Sequence, residues 1–270
     1  MKSLIAISTV ITAISATPAF ASSTASAILS DFTLTLTSID TNAVATPSLD
    51  LYSSVTSNTS GVAYENILTL NNFQQFQVDG NHSTNISGSA ASLYAQSSGS
   101  ITGDNIGNAM LQANGNSQGN GGFYGSISTD YGYFTLSANT QATFTAKAQT
   151  QTAVSNGTNE NANAHAYIYV VEPDGIHEHS DFLSSSTYNS TVQSISNLGL
   201  LSIVFSNTSS SALSNYFFET IVNVDGFSNA TISDSPSAVP LPAAAPLMLS
   251  GLGLLGFSAK KRKAEKVKVL

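Results

Sequence analysis

The sequence predicts an all-β protein, a sandwich of two antiparallel sheets with jelly-roll-like connectivity. Three observations carry that expectation. Several segments alternate apolar and polar residues with period two, which fits strands that bury one face. Short β-branched or aromatic runs are bounded by Asn, Gly and Pro, the residues of turns. Between residues 22 and 232 no stretch shows a capped apolar stripe of helical period. A β-helix is the competing all-β architecture, and no fixed-period repeat supports it.

Taken in order, Phe32-Thr33-Leu34-Thr35-Leu36-Thr37 places its apolar residues on one face and its threonines on the other. Weaker strand signals lie at residues 49–55, 67–70, 73–78, 91–95 and 131–136. Thr143-Phe144-Thr145-Ala146-Lys147-Ala148-Gln149 alternates again, with Lys147 on the wet face. Residues 166–171 and 200–205 are more continuously apolar and read as central strands. Residues 216–224 follow, and Asp225-Gly226 reads as the turn that ends them. The total expected is eight to ten strands. Residues 113–125 contain Asn114-Gly115-Asn116 and Gly119-Asn120-Gly121-Gly122 and read as a mobile surface loop, too rich in glycine for a strand. That loop has no Asp for a calcium-binding glycine repeat and no Lys for a phosphate cradle.

Composition excludes several function classes. Of the sixteen acidic and eight basic residues, Glu265, Lys2 and six cations after residue 259 lie at the ends. Fifteen acids against Lys147 remain, a net of about −14 for the intervening segment. Such a field repels nucleic acid and anionic lipid. Cysteine is absent, so neither disulfides nor thiolate chemistry is available. No nucleophile elbow, metalloprotease helix motif or Walker loop occurs. Two carboxylates for glycoside hydrolysis are always available among so many acids, which by itself points nowhere.

The two ends read as addresses. Lys2, an apolar run from Leu4 to Ala16, and Ala19-Phe20-Ala21 form a signal peptide with cleavage after Ala21, so that Ser22 begins the mature chain. Such a leader implies passage through the Sec translocon. At the other end stand Val239-Pro240-Leu241-Pro242-Ala243, an apolar run from Ala243 to Ala259, and the basic cluster Lys260-Lys261-Arg262-Lys263. As a helix the run would span roughly 26 Å, the lower end of a bilayer core. The basic cluster holds its end of the chain in the cytoplasm. The predicted organisation is a signal peptide over 1–21, a β-sandwich domain over 22–232, a linker over 233–238, a sorting signal with its transmembrane helix over 239–263, and a basic cytoplasmic tail over 264–270.

This layout resembles the C-terminal sorting signals of the PEP-CTERM class of Gram-negative bacterial proteins, and the string VPLPA matches the VPLPA-CTERM variant. The resemblance implies an exosortase, a membrane-embedded transpeptidase-like partner, that recognises Val239 to Ala243 and delivers the protein to the cell surface or extracellular matrix. The run of residues 136–144 followed by an Ala-rich strand and residues 164–171 is also similar in texture to the β-sandwich regions of that class. The class accompanies exopolysaccharide and biofilm, so the resemblance implies a non-enzymatic surface or matrix protein. The alternatives are a carbohydrate-binding or calcium-dependent lectin-like module and a secreted hydrolase.

One internal cluster has the composition of a chemical site: Glu172-Pro173-Asp174-Gly175-Ile176-His177-Glu178-His179-Ser180-Asp181. If this segment is extended, His177 and His179 project to one side. With Asp174 and Asp181 they could ligate zinc or copper, and the carboxylates alone would suit calcium. Pro-Asp-Gly is equally a plain tight turn, and no cofactor is the simpler expectation. His82 and His165 stand alone and read as surface or strand residues.

Overall fold

The structure, a computed structural model, describes residues 22–40, 46–51, 55–65, 71–81, 85–103, 108–119, 121–155, 160–188 and 194–228. All belong to one compact unit, Ala19–Ala230. Ala19, Ala21, the 67–70 strand, His82, and every residue of the linker, sorting signal, transmembrane run and basic tail lie outside the described residues.

The strands are β1 (Ser22–Ser38), β2 (Leu49–Leu51), β3 (Thr56–Glu65), β4 (Asn71–Asn81), β5 (Ile86–Ala91), β6 (Ala95–Thr102), β7 (Met110–Gln118), β8 (Gly122–Leu136), β9 (Thr140–Val154), β10 (Glu160–Val171), β11 (Glu178–Tyr188), β12 (Ser194–Asn207) and β13 (Leu213–Ser228). They form a six-stranded sheet of order β12-β9-β1-β7-β6-β5 and a seven-stranded sheet of order β11-β10-β13-β8-β3-β4, with β2 beside β8. Every pairing is antiparallel. Each strand of one sheet packs on a partner in the other: β12 on β11, β9 on β10, β1 on β13, β7 on β8, β6 on β3, β5 on β4.

Eight of these strands, β7-β1-β9-β12 over β8-β13-β10-β11, have the pairing of a jelly roll. The strand that would end such a fold, inserted between β7 and β9, is here β1, at the front of the domain. The hairpin pairs β6-β5 and β3-β4 then widen the two sheets on the same side.

The core explains how thirteen strands rather than eight to ten fit into the described chain. At one end it is aromatic: Phe134 lies 5.5 Å from Phe205 and 5.1 Å from Tyr216, centroid to centroid, and Phe32 stacks on Phe144 at 5.7 Å. Elsewhere the inward residues are small, with Ala25 and Ala27 on β1, Ala146 and Ala148 on β9, and Ala162, Ala164 and Ala166 on β10 all buried. A serine hydroxyl lies only two bonds from its Cα, so its bond to a carbonyl of the facing sheet demands that the backbones come closer than the ~10 Å usual between sheets. Such bonds recur here. Ser126 on β8 donates to the Ser98 carbonyl on β6 at 2.9 Å, and Ser128 on β8 to the Gln112 carbonyl on β7 at 2.9 Å. Thr150 on β9 meets Ser185 on β11 at 2.8 Å. Near the aromatic end the Asn207 amide, on β12, donates to the carbonyls of Leu136 and Ser137 at 3.0 and 3.1 Å.

Where a large side chain does cross the interface, glycine makes room for it. The Tyr124 ring lies over Gly115 so closely that a Cβ there would be 1.9 Å from Cδ2, and a Cβ at Gly226 would be 2.4 Å from the Tyr124 hydroxyl. That hydroxyl meets Ser23 Oγ at 3.0 Å, and Ser23 in turn donates to the Asn161 carbonyl. Phe76 is seated in the same way between Gly61 and Gly88.

These contacts correct three expectations. Residues 113–125 are not a surface loop: they supply most of β7 and the start of β8, which begins at Gly122. Leu111, Ala113, Gly115 and Ser117 alternate inward, and beyond Leu111 the inward residues are small, Gly115 because the Tyr124 ring lies against it. Asp225-Gly226 is not a turn but an interior stretch of β13, where Gly226 admits Tyr124. Residues 91–95 are not a strand but the junction of β5 and β6, closed by the Ser92 N–H donating to the Ala95 carbonyl at 2.8 Å. The strand cores at 32–37, 73–78, 131–136, 143–149, 166–171, 200–205 and 216–224 all form, each longer than its apolar centre. Residues 200–205 are not central, however: β12 is the edge strand of the six-stranded sheet, and Leu200 and Val204 on its outer face are exposed. Residues 49–51 of the 49–55 segment pair with β8.

Gly115→Ala must displace Tyr124 and should destabilise the domain by about 2–3 kcal/mol, whereas Tyr124→Phe removes one hydroxyl and should cost about 1 kcal/mol; denaturant unfolding measures both. Phe205→Ala, at the aromatic end, should cost about 3–5 kcal/mol in the same assay.

Candidate functional site: the Glu172 hairpin and the open face of the larger sheet

The acidic cluster forms the hairpin between β10 and β11, and it is not extended. Pro173 and Gly175 close a tight turn, with Gly175 at φ +70° and its N–H donating to the Glu172 carbonyl at 2.9 Å. Asp174 caps that turn from within. Its Oδ1 accepts the N–H groups of Ile176 and His177 at 2.9 and 3.1 Å, and its Oδ2 lies 2.5 Å from His177 Nδ1. The backbone N–H of Ile176, then that of His177 and its ring, hold the Asp174 carboxyl down to about 2. The Asp174 carboxylate in turn raises the His177 imidazole above its ordinary value.

His177 and His179 therefore find different partners. His179 Nε2 lies 2.9 Å from Glu172 Oε1, half-buried at the start of β11. Asp181 is two residues further along, where its Oδ2 accepts the N–H of Ser202 on the edge strand β12 at 2.8 Å. Ligand atoms of Glu172, Asp174 and His177 lie within 4.8 Å of one another, and among the described residues they alone form such a group. Asp181 and His179 stand outside it. A cation entering the group would have to replace the bond between Asp174 and His177. Below the group, burial pushes the Tyr216 hydroxyl up to about 12, with the Glu172 and Asp174 carboxylates adding to the effect.

Sequence reasoning missed two other features. Glu160 and Asp130 are buried carboxylates. Glu160 accepts the Ser155 N–H and hydroxyl at 2.9 and 3.1 Å, and Asp130 accepts the Ser57 hydroxyl at 2.9 Å, so both tie neighbouring segments together. The second feature is a groove of about 460 Å³ on the outer face of the seven-stranded sheet, lined in part by Val62, Gln75, Gly125, Ile127, Asn223 and Asp225. These come from β3, β4, β8 and β13, so no local signal joins them. His165 lies on the same face of β10, opposite Asn223 in the register.

Residues 238–263 match the PEP-CTERM protein-sorting motif, a span that contains Val239 to Ala243 and Lys260 to Lys263. The motif implies an exported protein, sorted by an exosortase-type system, whose precursor is membrane-anchored near its C-terminal end. No curated protein and no solved structure matches the chain.

The hairpin chemistry sets a pH window. The lowered Asp174 carboxyl contributes stability above its ordinary value of 3.8, lost as pH falls toward 2. The raised His177 contributes below its ordinary 6.5 and loses that contribution as pH rises through its folded value. An NMR titration should therefore place the His177 midpoint above 6.5, and Asp174→Asn should lower it toward that value. An unshifted midpoint in the parent protein would contradict the pairing.

Proposed function

We propose that this protein is a non-enzymatic component of the cell surface or extracellular matrix, exported with a cleaved signal peptide and processed at a VPLPA variant of the sorting motif. The observation that carries this reading is the match over residues 238–263. Three further features support it. The segment Met1 to Ala21 has the layout of a Sec leader. The absence of cysteine suits a domain whose stability comes from packing and hydrogen bonds. The strong negative charge of the exported segment keeps it soluble at the surface and disfavours nucleic acid as a partner.

Within this reading Ala19 and Ala21 direct cleavage before Ser22, Val239 to Ala243 are recognised by the exosortase-type transpeptidase, and Lys260 to Lys263 hold the tail inside. An exopolysaccharide of the matrix is the proposed companion of the mature domain. The Glu172 hairpin is read as a structural turn without a metal: hydrogen bonds within it engage Asp174, His177 and His179, and Asp181 accepts from Ser202 on β12.

Intact-mass measurement on protein recovered from the cell envelope tests the processing. The expected species begins at Ser22 and lacks everything downstream of Ala243. A mature species that retains Lys260 to Leu270 would reduce the tail to a plain anchor. In a melting experiment, micromolar zinc or calcium should shift the transition no more than an equal ionic strength of an inert salt; a chelator-sensitive rise of several degrees would establish a metal site.

A further inference from the structure

The groove on the seven-stranded sheet has a glycine that the fold itself does not require. At Gly61, Gly88, Gly99, Gly115 and Gly226 an added Cβ would collide with a neighbour at 2.5 Å or less. At Gly125 its nearest neighbours would be Phe123 and Val62, at ordinary contact distances of 3.6 Å. Gly125 also has no positive φ to justify it. A glycine inside a strand weakens the strand, and it often marks a bulge, a bend or a site where a ligand approaches the backbone closely.

The groove runs across the strands. The register aligns Asn163 on β10, Asp225 on β13, Gly125 on β8, Val62 on β3 and Gln75 on β4 in one row. From β13 to β4 this row crosses three strand spacings, about 14 Å at ~4.8 Å each, a length of about three pyranose rings. The row offers amides and a carboxylate that bond hydroxyl groups. Ser186 donates to Asn163 Oδ1 at 2.6 Å and Asn163 donates to Asp225 Oδ2 at 2.9 Å, so the polar end is ordered in advance. Asn223 lines the groove beside them, and its amide oxygen is buried with no hydrogen-bond partner among the described residues.

Beside the polar row lies an aromatic one. Phe123 stacks on Tyr64 at 4.7 Å, and Tyr64 on Phe73 at 6.0 Å, with Phe73 42 % exposed. Flat rings next to hydroxyl-bonding groups suit a sugar, which has an apolar C–H face and a polar rim. The sign of the charge narrows the class. Lys147, the only lysine or arginine among the described residues, is on β9 in the other sheet, while Asp225 and Asp79 lie on this face. A polyanion would be repelled.

We infer that this groove, from Asn163 to Gln75 with its hollow at Gly125, binds a neutral polysaccharide chain laid across the strands. The inference deepens the proposed matrix role by giving that role a binding site. It does not use the Glu172 hairpin, so it needs no cation.

Calorimetric titration of the full-length chain, held in a detergent without a sugar headgroup, tests it with cellohexaose, mannohexaose and xylohexaose, and with an alginate hexamer as the anionic control. At least one neutral hexaose should bind with a sub-millimolar Kd, unaffected by chelator, and the alginate should not bind. Gly125→Leu fills the hollow and should weaken binding at least tenfold with no fall in melting temperature; Asp225→Asn, which keeps the shape, should weaken it severalfold. No binding of any neutral hexaose at millimolar concentration, equal binding of alginate, loss of binding with chelator, or full binding by Gly125→Leu would each overturn the inference. The mass measurement on the termini is independent of these results, so a failed groove leaves the sorting proposal standing, and the reverse also holds.

Discussion

The close approach of the two sheets is the constraint on which the rest of this structure depends. Over much of the interface the facing side chains are Ala, Gly, Ser and Thr, and their small volume buries little apolar area per residue. What compensates is hydrogen bonding between the layers. Ser126, Ser128 and Asn207 each reach a backbone carbonyl of the opposite sheet, and Thr150 meets Ser185 across the gap. Each such bond contributes about 1 kcal/mol net, but leaving one of these buried groups unpaired would cost more than that, so the arrangement tolerates little sliding. Tyr124 fixes the register further, since its ring lies where Gly115 and Gly226 leave space and its hydroxyl meets Ser23.

This constraint also decides what could be read from the chain. Strands with large apolar residues, such as the β12 segment around Leu201, Ile203 and Phe205, announce themselves as short apolar runs. β7 does not, because its inward residues Ala113, Gly115 and Ser117 are no more apolar than its outward Asn114 and Asn116 are polar in the usual loop sense. The alternation was present as a size pattern, small residues against amides, rather than as a hydrophobicity pattern. Asp225-Gly226 misleads for a related reason: a dipeptide with strong turn chemistry sits in mid-strand because a tyrosine from β8 needs the glycine. The two-sheet antiparallel class was legible; the place of β1 between β7 and β9 was not, since it rests on pairings more than eighty residues apart.

The candidate sites divide along the same line. The Glu172 cluster is local, and its residues could be picked out by composition, yet the pairing of His177 with Asp174 and of His179 with Glu172 depends on the turn's backbone geometry. The groove shows the opposite case. Asn163, Asp225, Gly125, Val62 and Gln75 come from five strands, and nothing in the neighbourhood of any one of them points to the others. Only the antiparallel register sets them in a row, and only the surroundings of Gly125 separate it from the glycines that packing requires.

The apposition of the sheets can be tested directly because the chain has no cysteine of its own. Thr150 on β9 and Ser185 on β11 face each other across the interface with hydroxyls 2.8 Å apart, within reach of a disulfide's Cβ separation of about 3.5–4.5 Å. In the double variant Thr150→Cys, Ser185→Cys, the account predicts that the two thiols oxidise to an intramolecular disulfide in the folded protein and raise its melting temperature. Thiols that remain free in the folded protein under the same oxidising conditions would contradict the close packing of the two sheets.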